Sequence, residues 1–330
     1  GHWCAELEGD SILESEYILA MHFIGRTADE KVRKAANYLR QQQQSNGGWG
    51  HFPGGDADVS TTVKAYFALK LVGDDADAEH MKRARQVARG LGGLRACNSY
   101  TKLYLAIFGQ YAWERCPVVP PEMILLPDWL PFNIYAMSAW SRAIVVPLSM
   151  IWAHKPFCAV PEGADITELE VPGSTRHRAP AKTAREQAWA TFFEAVDIGL
   201  RWIEGLNLNP FRGLALQRCE QWILERFEKS DGLGAIFPPI INAIIALRCH
   251  GYALDHTAVR GQLDALERLQ IEDGDTLRLQ PCKSPVWDTS QALYALLESG
   301  LEANNPAALK AADWLLDREV EAPGDWRVLN

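Results

Sequence analysis

The sequence predicts an all-α protein: a double ring of inner and outer helices closed into an α/α barrel. Three observations carry this. The pattern Ala-x-x-Ala-Leu-x-x-x-Gly recurs along the chain. An amphipathic second helix, followed by an aromatic-bearing turn, comes after some of its copies. No stretch alternates apolar and polar residues as a half-buried strand would.

Gly1-x-Trp3 looks like the tail of one aromatic turn. The first inner helix is a worn copy, with Ala20 and Met21, ending at Gly25. Glu14 and Glu16 precede it, where a helix N-terminus favours carboxylates; a buried Glu16 facing a cavity would instead be a site residue. Ala36-Asn-Tyr38-Leu39 reads as an outer helix, and Gln43-x-x-x-Gly47-x-Trp49 as its turn. Asp56-Ala-Asp58 then stands before Ser60-Thr61-Thr62. Two carboxylates so spaced can hold Mg²⁺ or share a proton, but helix capping is the preferred reading. The first clean copy is Ala65, Ala68, Leu69 and Gly73. Its leading residues share one helix face, small Ala admits a close neighbour, and Gly ends the helix. A weaker copy holds Leu105 and ends at Gly109.

Residues 155–185 break the rhythm with Pro156, Pro161, Pro172, Pro180 and Arg176-His177-Arg178, and read as a long exposed excursion, an ordinary insertion before a lid. The repeat returns as Ala243, Ala246, Leu247, Gly251 and as Ala292, Ala295, Leu296, Gly300. Asp288-Thr289-Ser290 is expected to cap the last of these helices, as Asp58 caps its own. Ala312-Asp-Trp314-Leu315 is another outer helix, and Val320-x-x-x-Gly324-x-Trp326 a worn aromatic turn.

Composition bounds the function. A chain of 330 residues is long enough for two domains, and 48% hydrophobic with 23% charged residues excludes a disordered polymer. A net charge of −9 with no basic block argues against nucleic acid. The longest apolar-rich stretches, Ala143–Ala153 and Phe237–Leu247, are too short to span a bilayer. Seven cysteines at irregular spacing suggest a reducing compartment and no disulfide framework. Without an initiator Met or a signal peptide, the chain reads as a trimmed piece of something longer. No HxxxH, GxSxG or phosphate-loop motif occurs, so neither metal nor nucleotide cofactor is expected. Twelve tryptophans are the outlier. Trp140, Ile236-Phe237-Pro238-Pro239 and Ser284-Pro285-Val286-Trp287 fall at helix ends, where a barrel opens its mouth. Aromatics there suit an apolar substrate or a cation derived from one; for any one Trp, core packing is the plainer role. An α/α-barrel glycosidase and a non-catalytic helical-repeat module binding lipid or protein stay open, though no convincing pair of acids nominates itself for the former.

Several segments together resemble the squalene–hopene cyclase family of class II triterpene cyclases. Gln43–Trp49 is similar to the family's tandem "QW" repeat. More specific are Gly54-Gly55-Asp56-Ala-Asp58-Val-Ser60-Thr61-Thr62-Val-Lys64-Ala-Tyr66, Val119-Pro-Pro-Glu122, Asn133-Ile-Tyr135 with Ser138-Ala-Trp140-Ser-Arg142, Asp231-Gly-Leu-Gly-Ala-Ile-Phe237-Pro238, and Ser284-Pro-Val-Trp287-Asp288-Thr289. The resemblance runs the whole chain in family order and covers the first half of such an enzyme. It implies an inserted α/α barrel at residues 7–282, with 1–6 and 283–330 belonging to a second, catalytic barrel. The family's proton donor lies in an Asp-x-Asp-Asp-Thr segment after Gly324-Asp325-Trp326, and no such segment occurs in these 330 residues. Asp56 and Asp58 sit at a repeat-equivalent place in the wrong barrel and are not assigned that role. No catalytic residue is therefore nominated, and the fragment alone is expected to be inactive.

By the same resemblance, Trp140, Trp287 and Tyr100 are aromatics along the cyclisation cavity, and Ile236, Phe237 and Pro238 a turn near its far end. Glu16 is a polar residue at that end, and Val145 lies near the substrate channel. Two departures matter: Phe237 where some members carry Gln to orient water, and Lys64 where others carry Glu. The implied substrate is squalene or a similar polyprene, cyclised through cations to hopene or hopanol without a cofactor. The implied setting is bacterial, monotopic on one membrane leaflet at the cytoplasmic face of the inner membrane, with a homodimer allowed.

Overall fold

The protein is described by a computed structural model over residues 1–130, 132–173, 183–206, 208–227, 231–321 and 324–325. Arg176-His177-Arg178, Pro180 and Trp326 lie outside the described residues. Among the described residues the chain is helical apart from one small hairpin. In order come α1 (Ile12–Phe23), α2 (Glu30–Gln42), α3 (Val59–Leu71), α4 (Glu79–Gly90), the single turn α5 (Gly93–Ala96), α6 (Ser99–Ile107) and α7 (Ala139–His154). Then follow α8 (Ala184–Gly205), α9 (Arg212–Glu225), α10 (Phe237–Cys249), α11 (Thr257–Arg268), the strands β1 (Gln270–Asp273) and β2 (Thr276–Leu279), α12 (Pro285–Glu298) and α13 (Pro306–Leu316).

Seven of the helices are of two kinds. Helices α1, α3, α6 and α10 bury residues on nearly every side. Helices α2, α4 and α11 bury a single stripe, such as Val32, Ala35, Ala36 and Leu39 on α2. Helix α1 packs on α2, α3 and α10, and α10 on α7 and α11. A helix apolar all round needs cover on every side, whereas one with a single stripe serves as that cover.

The five repeat glycines share one geometry. Gly25, Gly73, Gly109, Gly251 and Gly300 all have φ between +68° and +98°. In each copy the N–H after the glycine donates to the carbonyl four residues before it: Arg26 to Met21, Asp74 to Leu69, Gln110 to Leu105, Tyr252 to Leu247 and Leu301 to Leu296, at 2.8–3.0 Å. The glycine N–H donates to the carbonyl three residues before it, as Gly73 does to Lys70 at 3.0 Å. This is the Schellman stop, so the Leu-x-x-x-Gly spacing is a backbone requirement. At Gly73 a Cβ would meet nothing within 4 Å, so only the left-handed φ demands glycine there.

The turn after α2 joins three helices. The Gln43 amide donates to Gly47 O and to His80 O at 2.8 Å, reaching α4. The buried Trp49 indole N–H donates to Leu39 O at 2.9 Å, satisfying a carbonyl near the end of α2. Thr61 Oγ1 donates to Trp49 O at 2.6 Å, and Asp58 Oδ1 accepts from Ser60 N and Thr61 N at 2.7 and 3.1 Å, capping α3 as expected.

Four expectations need correction. The hairpin β1–β2 is a strand pair where none was read; Gly274, at φ +56°, turns it, and Leu277 and Leu279 are buried. Its exposed side is clipped to α2 by Arg33–Asp275 and Lys34–Glu272 pairs at 2.7 and 2.8 Å. Asp288 is not a cap: it lies inside α12, and its carboxylate accepts from Ala5 N at 3.0 Å. Glu14 and Glu16 lie inside α1 rather than before it. The 155–185 excursion is not exposed throughout, since Ile166 and Leu169 are buried and the Lys70 ammonium donates to Asp165 O and Glu168. A prediction follows from the stop geometry. Gly73→Ala is expected to cost about 1–2 kcal/mol in urea unfolding despite the free space; an unchanged midpoint would refute the backbone argument.

Candidate functional site

The sequence-nominated residues stand on several elements of the fold. Trp140 and Trp287 stand in the first turns of α7 and α12, 64% and 68% exposed among the described residues. Ile236, Phe237 and Pro238 open α10. There Pro238 needs no hydrogen-bond partner, and Phe237 is buried with its N–H donating to Pro281 O at 2.8 Å. Val145 is half-buried in the middle of α7. Glu16, Lys64 and Tyr100 do come together.

Glu16 on α1 and Lys64 on α3 are both fully buried and form an ion pair. The Lys64 ammonium also lies 4.8 and 5.2 Å from the ring centroids of Tyr100 and Tyr104 on α6. Faces of aromatic rings are electron-rich, so they take up the rest of the charge that water would otherwise hold. Tyr104 OH donates to Asn242 Oδ1 on α10 at 2.7 Å, and Tyr100 OH to the same oxygen at 3.3 Å. Among the described residues, Glu16 Oε2 and Asn242 Nδ2 are buried without a hydrogen-bond partner. Burial pushes the Glu16 carboxyl above its ordinary range, and Lys64 pulls it back. Both phenols are driven far up by burial. The cluster is thus a fixed, dry charge pair ringed by neutral hydroxyls and an amide.

Sequence reasoning missed Tyr104 and Asn242, and read Glu14 only as a carboxylate at a helix N-terminus. Tyr104 follows Tyr100 by four residues, on the same helix face. Asn242 interrupts the apolar run of α10, and a polar residue there requires a partner. Glu14 is fully buried beneath β2, with Oε1 accepting from Leu279 N at 2.8 Å. Burial pushes its carboxyl up to about 8 against that hydrogen bond.

A second feature lies on the surface. Helix α8 has no buried residue and exposes Trp189, Phe192, Phe193, Val196 and Trp202. Phe132 stacks on Phe192 and Trp189 on Phe193, with centroids 5.7 and 5.9 Å apart. Phe132, Phe192, Phe193, Val196, Ile203 and Met123 line an apolar groove of about 610 Å³. The spacing of Trp189, Phe192, Phe193 and Val196 marks one helix face and was open to reading. Among the described residues no helix is long and apolar enough to cross a membrane.

Comparison with known proteins gives these features a context. A profile of the squalene–hopene cyclase N-terminal domain matches residues 1–275, and that of the C-terminal domain matches 283–330. The chain is 38% identical to squalene–hopene cyclase of Zymomonas mobilis over 99% of its length and 50% of the relative's. It is 39% identical to that of Bradyrhizobium diazoefficiens, again over 99% and 50% of the two chains. Identity to the Alicyclobacillus acidocaldarius squalene–hopene cyclase is 36%, over 99% and 51%. The chain therefore spans about half the length of the curated relatives it matches.

Two outcomes test the buried charges. Lys64→Met is expected to destabilise by about 3–5 kcal/mol, because it strands Glu16, whereas Glu16→Gln/Lys64→Met should recover most of that; equal losses in both variants would sink the pairing argument. The folded protein holds the Glu14 proton up to about pH 8, whereas the ordinary value is 4.5. The folded state thus binds more protons across that window, and stability falls as pH rises through it, by about 1.4 kcal/mol per unit at most. Glu14→Gln should flatten the fall in urea midpoint between pH 5 and 8.

Proposed function

The chain belongs to the squalene–hopene cyclase family, and from that premise we propose that it forms one wall of a cavity in which squalene, or a similar polyprene, is cyclised to hopene or hopanol. The observation that carries this is that both domain profiles match in order along one chain. On this reading the inner and outer helices of residues 7–282 form one α/α barrel built on QW repeats. Residues 1–6 and 283–330 are then part of a second barrel.

The chemistry begins when a carboxylic acid protonates a terminal alkene, and the cation then closes ring after ring. Alkenes are very weak bases, so the acid needs an unusually acidic setting. The cations that follow must meet π faces rather than water, which would quench them. Trp140 and Trp287, held out from the core on two helix N-termini, are suited to be such faces. Tyr100 and the Ile236–Phe237–Pro238 turn serve further along, and Val145 near the channel. At the far end the Glu16–Lys64 pair replaces the acidic surroundings of other members, and Phe237 offers no hydrogen bond to orient a water. No metal or other cofactor is assigned a role. Contact with one membrane leaflet, at the cytoplasmic face of the inner membrane, belongs to the same proposal and is supported by the exposed aromatic face of α8.

The first test is the source gene past Asn330. It should encode Asp-x-Asp-Asp-Thr, and its product should convert squalene to hopene while residues 1–330 alone do not; an immediate stop codon would overturn the reading. In that product, Trp140→Ala should release early-terminated polycycles, detected by mass spectrometry, and an unchanged hopene yield would count against Trp140 as a wall residue.

A further inference from the structure

Asp325 lies in the stretch matched by the C-terminal domain profile, yet two arginines of the N-terminal region grip it. Arg226, just past α9, takes its carboxylate in a two-pronged grip, Nη2 to Oδ1 at 2.6 Å and Nε to Oδ2 at 3.1 Å. Arg142 on α7 adds Nε at 3.4 Å from Oδ2. Each guanidinium is also held by its own surroundings. Arg226 lies over Trp222, 3.9 Å from the ring centroid, and donates to Trp222 O at 3.0 Å. Arg142 is buried, donates to Met137 O at 2.9 Å, and sits 5.5 Å from the Tyr135 ring centroid. Glu225 lies 3.8 Å from Arg226 and is largely exposed.

Two guanidiniums fixed in advance side by side form a receptor for one carboxylate. A planar fork on a carboxylate fixes direction as well as distance. Arg142 follows Trp140 by two residues on the same turn of α7. The chain at Asp325 is therefore held at the end of α7 that displays Trp140.

We propose that Asp325 is a positioning residue: clamped by Arg142 and Arg226, it sets the register of the C-terminal-domain chain against the wall that carries Trp140. It makes no contact with substrate. Resting on the cyclase reading, its role is to hold the path of the chain that leads on to the proton donor. A displacement of about 1 Å at such a point is enough to cost on the order of 100-fold in rate.

Two experiments separate this from a merely stabilising ion pair, and from failure of the cyclase reading. In the 330-residue chain, Asp325→Asn should raise amide exchange at residues 317–321 and 324–325 at least about tenfold, leaving α1 and α3 unchanged. Unchanged exchange overturns the clamp whatever the chain catalyses. In the enzyme expressed from its gene beyond Asn330, Asp325→Asn should lower kcat for squalene about 10- to 100-fold, with KM and Tm little changed and a shifted product mixture. Arg226→Lys, which keeps charge but loses the fork, should fall between it and the parent. A kcat that follows only the loss of folded protein, or an unaltered product mixture, overturns the positioning role. Should the parent enzyme leave squalene untouched, the cyclase reading falls, and the exchange result still decides the clamp.

Discussion

A positive charge sealed inside the molecule is the constraint around which the helices are arranged. Lys64 has no route to water, and an ammonium moved from water to such a place is tolerated only where its surroundings replace hydration. Two helices supply that replacement: the Glu16 carboxylate from α1 and the ring faces of Tyr100 and Tyr104 from α6 meet the ammonium from α3. Asn242 of α10 then fixes the tyrosine hydroxyls. An apolar core tolerates repacking, because its contacts have no direction. This cluster has direction, so α1, α3, α6 and α10 are held in one mutual arrangement.

The parts of this architecture legible in the sequence are those fixed by neighbours in the chain. The Leu-x-x-x-Gly spacing could be read because both bonds of the stop lie within six residues. The Asp58 cap was legible for the same reason. The hairpin was missed because each strand has four residues, too few for a period to emerge. Asp288 was misjudged because its partner is Ala5, at the other end of the chain.

The site divides in the same way. Glu16, Lys64 and Tyr100 could be nominated one by one, but which residues meet is decided by helix packing across dozens of residues. Glu16 and Lys64 are 48 positions apart, and Tyr104 and Asn242 are 138 apart. Trp140 and Trp287, equally prominent as letters, stand out on the surface instead: Trp140 lies in the first turn of α7, ahead of its buried stretch, and Trp287 lies on α12, which buries only Thr289. Burial separates the two groups, and it is a property of the folded chain that no single residue declares.

The helix stops bear on how such a chain can change over generations. Each depends on one glycine torsion and two main-chain bonds, and on almost nothing about the side chains before it. The copies ending at Gly25 and Gly109 have lost most of the Ala-x-x-Ala-Leu lettering, yet they turn as the intact copies do. Divergence can therefore erase the visible repeat and leave its geometry in place. A duplicated helical unit of this kind stays recognisable in three dimensions long after its spelling has been lost, with a lone glycine as the last letter to go.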